Sequence, residues 1–167
     1  MNQCKALGFA LLFVILPMHA APLTCSMTLE NRQQTQQDSN SKNQQISAII
    51  RFTLTNTSTE SMLFLPWNTP WEGWKGRFLE VTLNGEKLEY QGPMIKRGAP
   101  QKSDFINLQP NQTLTNSLNL ARVYELGTGK YQISYTGLLT AKSYEESEQS
   151  NTIQHFETNC PTLEFEL

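Results

Sequence analysis

The chain has 167 residues, 17% of them charged, three cysteines and a formal net charge of −2. That length suits one domain with an adequate core. The mild acidity leaves no basic stripe for a phosphate backbone, which excludes a nucleic-acid surface of the ordinary kind.

Residues 1–5 carry one lysine, residues 6–16 are almost unbroken apolar, and residues 17–21 end in small side chains. This pattern predicts a secretory signal peptide over residues 1–20. Its apolar core is too short for the ~20 residues of a membrane-spanning helix, and no later segment comes close. The mature domain, residues 21–167, is therefore expected in a periplasm or outside the cell, with no membrane contact after cleavage. Cleavage after Ala20 puts the bulky Met18 where a small residue is preferred. Lipidation of Cys25 is the alternative, but Pro22, Leu23 and Thr24 fit the Leu-small-small-Cys pattern poorly. Cys4 leaves with the signal peptide. An oxidising compartment would pair the remaining Cys25 and Cys160 in a disulfide between the first and last strands; the alternative is two free buried thiols.

Beyond Pro22, period-two alternation and β-branched residues recur, and no window carries a sustained helical stripe. The expected fold is all-β, an antiparallel β-sandwich of immunoglobulin-like or fibronectin-like form. Strands are predicted at 23–29, 46–55, 61–65, 77–83, 86–90, 105–108, 113–120, 131–136 and 162–167. Asn56 to Thr59 mark a turn, and Asn84-Gly85 predict a type I′ turn closing a hairpin between Phe78 and Tyr90. Pro110-Asn111 and residues 127–130 mark further turns, the latter before a strand on which Tyr131, Ile133 and Tyr135 share a face. Residues 31–45 are rich in Gln, Asn and Ser and predict a flexible loop. Residues 141–159, with Glu145, Glu146 and Glu148, predict a second flexible, solvated excursion with room for short structure of its own.

Catalytic chemistry has little to work with. His155 is the one histidine left after signal cleavage, with no nearby Cys or His, and neither HExxH, CxxC nor GxSxG occurs. A zinc site or a Ser-His-Asp triad is therefore not expected. Glycoside hydrolysis needs only two carboxylates, and Glu72 and Glu80 are available, but such groups are more often surface charges. The reading is a non-enzymatic domain without metal or cofactor.

The unusual residues gather in two connections. The first, FLPWNTPWEGW, holds all three tryptophans. Trp67, following the alternating strand, is expected in the core, whereas Trp71 and Trp74 could form a rigid contact surface or pack inward. The second, YQGPMIKRGAP, presents Met94, Ile95, Lys96 and Arg97 on a loop stiffened by Pro93 and Pro100; the alternative is a solvated charge pair on a turn.

Taken in order, Trp67-Asn68-Thr69-Pro70, Glu72-Gly73, the Phe78 to Tyr90 hairpin, Gly92-Pro93 with Lys96-Arg97, Leu108-Gln109-Pro110, Leu120, Tyr124 and Gly129-Lys130-Tyr131 form a distinctive series. Over Ile46 to Tyr135 the series resembles the pro-region of deuterolysin-like aspzincin metallopeptidases, a family that includes peptidyl-Lys endopeptidases. In that family the pro-region precedes a zinc domain carrying HExxH and keeps the enzyme latent. The sequence departs from the family in its Gln-rich loop, in the excursion after Gly137, in a tryptophan after Gly73 and in lacking HExxH. The resemblance thus implies a relative of the inhibitory part, with a secreted metallopeptidase as protein partner. It further implies that residues 92–100 enter the peptidase cleft with Lys96 in a lysine pocket, while Trp71, Glu72 and Trp74 pack around the rim. A folding chaperone or immunity partner of such a peptidase is one alternative, and a carbohydrate-binding module stacking sugars on Trp71 and Trp74 is another.

Overall fold

The computed structural model describes residues 22–34, 46–143, 154–156 and 160–167. The predicted signal peptide at 1–20 lies outside them, as do most of the Gln-rich loop and most of the acidic excursion. Among the described residues the fold is all-β, built from three antiparallel sheets and three short 3-10 turns. Among the described residues no helix is long and apolar enough to cross a membrane, and no group of three or more His, Cys, Asp or Glu is placed to hold a metal ion.

The first sheet has the order β1 (Leu23–Gln34), β2 (Ile46–Asn56), β7 (Thr113–Asn119). The second joins β3 (Met62–Leu65), β6 (Ile106–Leu108), β9 (Leu139–Ser143) and β10 (Gln154–Phe156) in the order β10-β9-β3-β6. The third joins β4 (Leu79–Leu83), β5 (Glu86–Lys87), β8 (Lys130–Tyr135) and β11 (Leu163–Glu166) in the order β11-β8-β4-β5.

Strand alternation explains how the sheets face one another. Along β2, Ala48, Ile50, Phe52 and Leu54 are fully buried while Arg51 between them is exposed, as period two requires. Ala48, Ile50 and Phe52 pack with Phe78, Leu79, Val81, Tyr131 and Ile133 around the third sheet. Leu54, with Leu23 and Cys25, packs instead with Met62, Phe64, Leu108, Leu139 and Ala141 of the second. One three-stranded layer therefore faces an opposing layer divided between two sheets, in keeping with the expected sandwich.

The turns follow from local chemistry. Asn84 and Gly85 both have positive φ, 51° and 88°, as a type I′ turn demands. The Asn84 side-chain oxygen also accepts the Lys130 amide at 2.9 Å, locking the hairpin tip to β8. Asn111 follows Pro110 at φ 60°, closing a turn in which the Gln112 amide donates to the Gln109 carbonyl at 3.0 Å. Cys25 and Cys160 form a disulfide with a Cα separation of 4.7 Å, joining β1 to the residues just before β11.

Several predicted boundaries move: the strand expected at 86–90 is only Glu86–Lys87, and that expected at 77–83 begins at Leu79. β1 runs beyond Leu29 to Gln34, because its backbone keeps pairing with residues 46–49 of β2 past a register shift between Leu29 and Asn31. The first residues of the segment predicted as an excursion, Ala141 to Ser143, belong instead to β9, and β10 within that segment pairs with it. Leu139 and Ala141 are fully buried and alternate into the core, but two apolar positions are too weak a pattern to announce a strand.

Candidate functional site

The segment from Phe64 to Arg77 folds inward because its aromatic rings find partners there. After β3, Pro66 ends the ladder and the chain bends at Asn68, whose φ is 54°. A 3-10 turn at Pro70–Glu72 follows, held at its base by the buried Thr69, whose hydroxyl donates to the Pro66 carbonyl. Trp71 packs against both core clusters and meets Phe64 edge-on at 5.5 Å. Trp74 stacks on Phe78 at 5.1 Å with nearly parallel rings, and its indole nitrogen donates to the Asn119 carbonyl at 3.1 Å. Phe78 thus covers one face of the Trp74 ring. Trp67, expected in the core, belongs to neither core cluster: Pro66 interrupts the alternation that would have carried it inward.

The outer ring has a different partner. The Arg97 guanidinium lies 4.8 Å from the centre of the Trp67 ring and forms an ion pair with the Glu72 carboxylate. The second Glu72 oxygen accepts the Asn68 amide at 3.1 Å. The Glu72 side chain is only 9% exposed and that of Arg97 24%, although the Arg97 backbone is open to solvent. The basic pair read from the sequence is therefore unequal: Arg97 is engaged, whereas Lys96 is exposed and has no ion-pair partner among the described residues.

Further contacts pin the same loop. The Gln91 amide donates to the Val123 carbonyl at 2.8 Å, the Tyr90 hydroxyl to the Pro93 carbonyl at 3.1 Å, and the Ile95 amide to the Lys75 carbonyl at 3.1 Å. At Gly92 a β-carbon would lie 2.4 Å from the Tyr90 ring and 2.7 Å from a Val123 methyl, so only glycine permits this approach. Beneath the loop, Tyr90 and Tyr124 meet edge-on at 5.7 Å and both contact Trp74. Burial raises the Tyr90 phenol above its ordinary pKa and the Tyr124 phenol further, so the loop rests on a neutral aromatic floor. Downstream, Gln101 and Asp104 form a reciprocal capping box around the 3-10 turn Lys102–Asp104.

The pins leave three side chains pointing away from the domain. Met94 is 73% exposed, Ile95 44%, and Lys96 follows them into solvent. Only Leu138 joins Met94 and Ile95 among the exposed large hydrophobics of the described residues. Of the seven residues singled out from sequence, Met94, Ile95 and Lys96 form this exposed ridge, while Glu72 and Arg97 form the clamp behind it. Trp71 and Trp74 lie deeper, against the core. Sequence reasoning missed Trp67, Lys75 and Val123 as loop anchors, and only the aromatic character of Trp67 offered a signal.

Over 115 residues, 68% of its length, the chain is 30% identical to an extracellular protease of Aeromonas hydrophila, covering 33% of that protein. Over 122 residues, 71% of its length, it is 26% identical to a neutral protease 2 homolog of Arthroderma gypseum, covering 34% of it. The chain thus spans about a third of the length of the curated relatives it matches. No protein-family model matches it. The solved structure of the Northeast Structural Genomics Consortium target SoR45 aligns over 85% of this chain and 83% of its own, with 13% identity and a TM-score of 0.41, a level that establishes no shared fold.

Proposed function

We propose that this domain is a non-enzymatic, exported inhibitor of a secreted metallopeptidase of the aspzincin kind, acting through residues 92–100. The similarity to a part of two proteases supports a protease-related role, and the pro-region motifs in the sequence support the inhibitory one. The observation that carries the reading is the pinned loop itself, on which Arg97 is turned back onto Glu72 and Trp67 while Lys96 is offered outward between exposed neighbours. An ordered loop loses little conformational entropy on binding, so a small ridge is enough for tight association.

In this reading Lys96 fills a lysine pocket of the peptidase, Met94 and Ile95 cover apolar surface beside it, and Trp71, Trp74 and Glu72 act from behind by fixing the loop's base. The test is titration of the purified mature protein into an active aspzincin peptidase while cleavage of a lysine-containing peptide is followed. Stoichiometric loss of activity is expected. Unchanged activity, together with a higher yield of active peptidase only when the domain is present during refolding, would replace inhibition by a chaperone role.

A further inference from the structure

Two peptide bonds, Ile95–Lys96 and Lys96–Arg97, lie between the Ile95 amide, bonded to the Lys75 carbonyl at 3.1 Å, and the Arg97 side chain, held by Glu72 and Trp67. The upstream side has two more anchors, Gln91 on Val123 and Tyr90 on Pro93. The downstream side runs into the capped turn at Lys102–Asp104. The bonds flanking the exposed lysine are thus bracketed by attachments to the rigid body of the domain.

We propose, resting on the inhibitory reading above, that this double anchorage makes the loop a substrate-like inhibitor whose cleavage is reversible in the peptidase cleft. Hydrolysis of either bond adds one water, leaving a carboxylate on Ile95 or Lys96 and an ammonium group on Lys96 or Arg97. Resynthesis joins the same two ends and expels that water. The peptidase catalyses both directions, so no other reactant is needed. In a free loop the new ends separate and gain conformational freedom, which drives cleavage to completion. Here both ends stay attached near their starting positions, and their effective concentration remains high enough for resealing to compete. Arg97 and Glu72 are positioning residues in this scheme, and Trp67 is the surface on which Arg97 is seated.

The test compares the disulfide-intact wild-type protein with Arg97→Ala, Arg97→Lys and Glu72→Gln, each incubated with an active lysine-specific aspzincin peptidase. Intact and cut loop are counted by mass spectrometry while residual peptidase activity is followed. Wild type is expected to reach one mixture of intact and cut protein from either starting form and to inhibit durably. Arg97→Ala should accumulate cut protein about tenfold faster or more, lose inhibition with time and keep its thermal midpoint, with Arg97→Lys between the two. Arg97→Ala that inhibits as durably as wild type without accumulating cut protein overturns the anchorage proposal and leaves the inhibitory reading standing. So does pre-cut wild type that is never resealed. Wild type that fails to inhibit at first contact overturns both.

Discussion

Asn56 is 0% exposed, and every polar atom of its side chain is used. Its amide nitrogen donates to the Glu60 carbonyl at 2.7 Å and the Leu108 carbonyl at 3.0 Å, and its oxygen accepts from the Ser58 amide at 3.0 Å and the Ser58 hydroxyl at 2.7 Å. Removing it strands the buried Leu108 carbonyl and unties the turn at Ser58 and Glu60, so Asn56→Ala should cost about 2–4 kcal/mol in urea unfolding. A change within ~0.5 kcal/mol would contradict that role, being the range of ordinary surface substitutions. The sequence shows Asn56 as the start of a turn but gives no sign that its side chain is buried, because alternation reports apolar faces and is silent about a polar residue on the inner one. The same limit applies to Lys96 and Arg97. As letters they are an equal basic pair; the partners that distinguish them, Trp67 and Glu72, lie 30 and 25 positions away from Arg97.

Strands with several alternating apolar residues, such as β2 and β8, were legible from periodicity, as was the hairpin from Asn84-Gly85. β9 was not, because its inward positions are few and its polar sequence reads as loop. The conformation of residues 91–98 is set by bonds to Lys75, Val123, Glu72 and Trp67, contacts that local propensity cannot encode. Gly92 is the exception, where a glycine and a proline together mark a special backbone, and close packing explains the choice. Gly92→Ala would drive a methyl group into the Tyr90 ring and Val123. The expected outcome is a displaced loop with inhibition weakened about tenfold or more, while the sandwich stays folded. Undiminished inhibition would show that the loop's path does not depend on this approach.

Across the whole molecule, the Cys25–Cys160 bridge spans a sequence separation of 135 and ties edge strand β1 of one sheet to the residues just before β11, an edge strand of another. Pairing followed from cysteine arithmetic and compartment, whereas the division of the opposing layer into two sheets did not, because strand order depends on long-range pairing. In the loop-entropy model such a bridge contributes up to about 4–5 kcal/mol. The Cys25→Ser, Cys160→Ser double variant should therefore unfold roughly 10–15 °C lower by calorimetry; an unchanged midpoint would mean that the folded contacts alone hold these edges. On the scaffold so fixed, Lys96 is the one exposed side chain assigned to a pocket of the peptidase. The most direct measurement is the inhibition constant of Lys96→Ala beside wild type against an active lysine-specific aspzincin peptidase. A rise of about 30-fold or more, with an unaltered thermal midpoint, is the predicted result for a residue buried in a pocket at the centre of the contact, and an unchanged constant would contradict the assignment of Lys96 to the peptidase cleft.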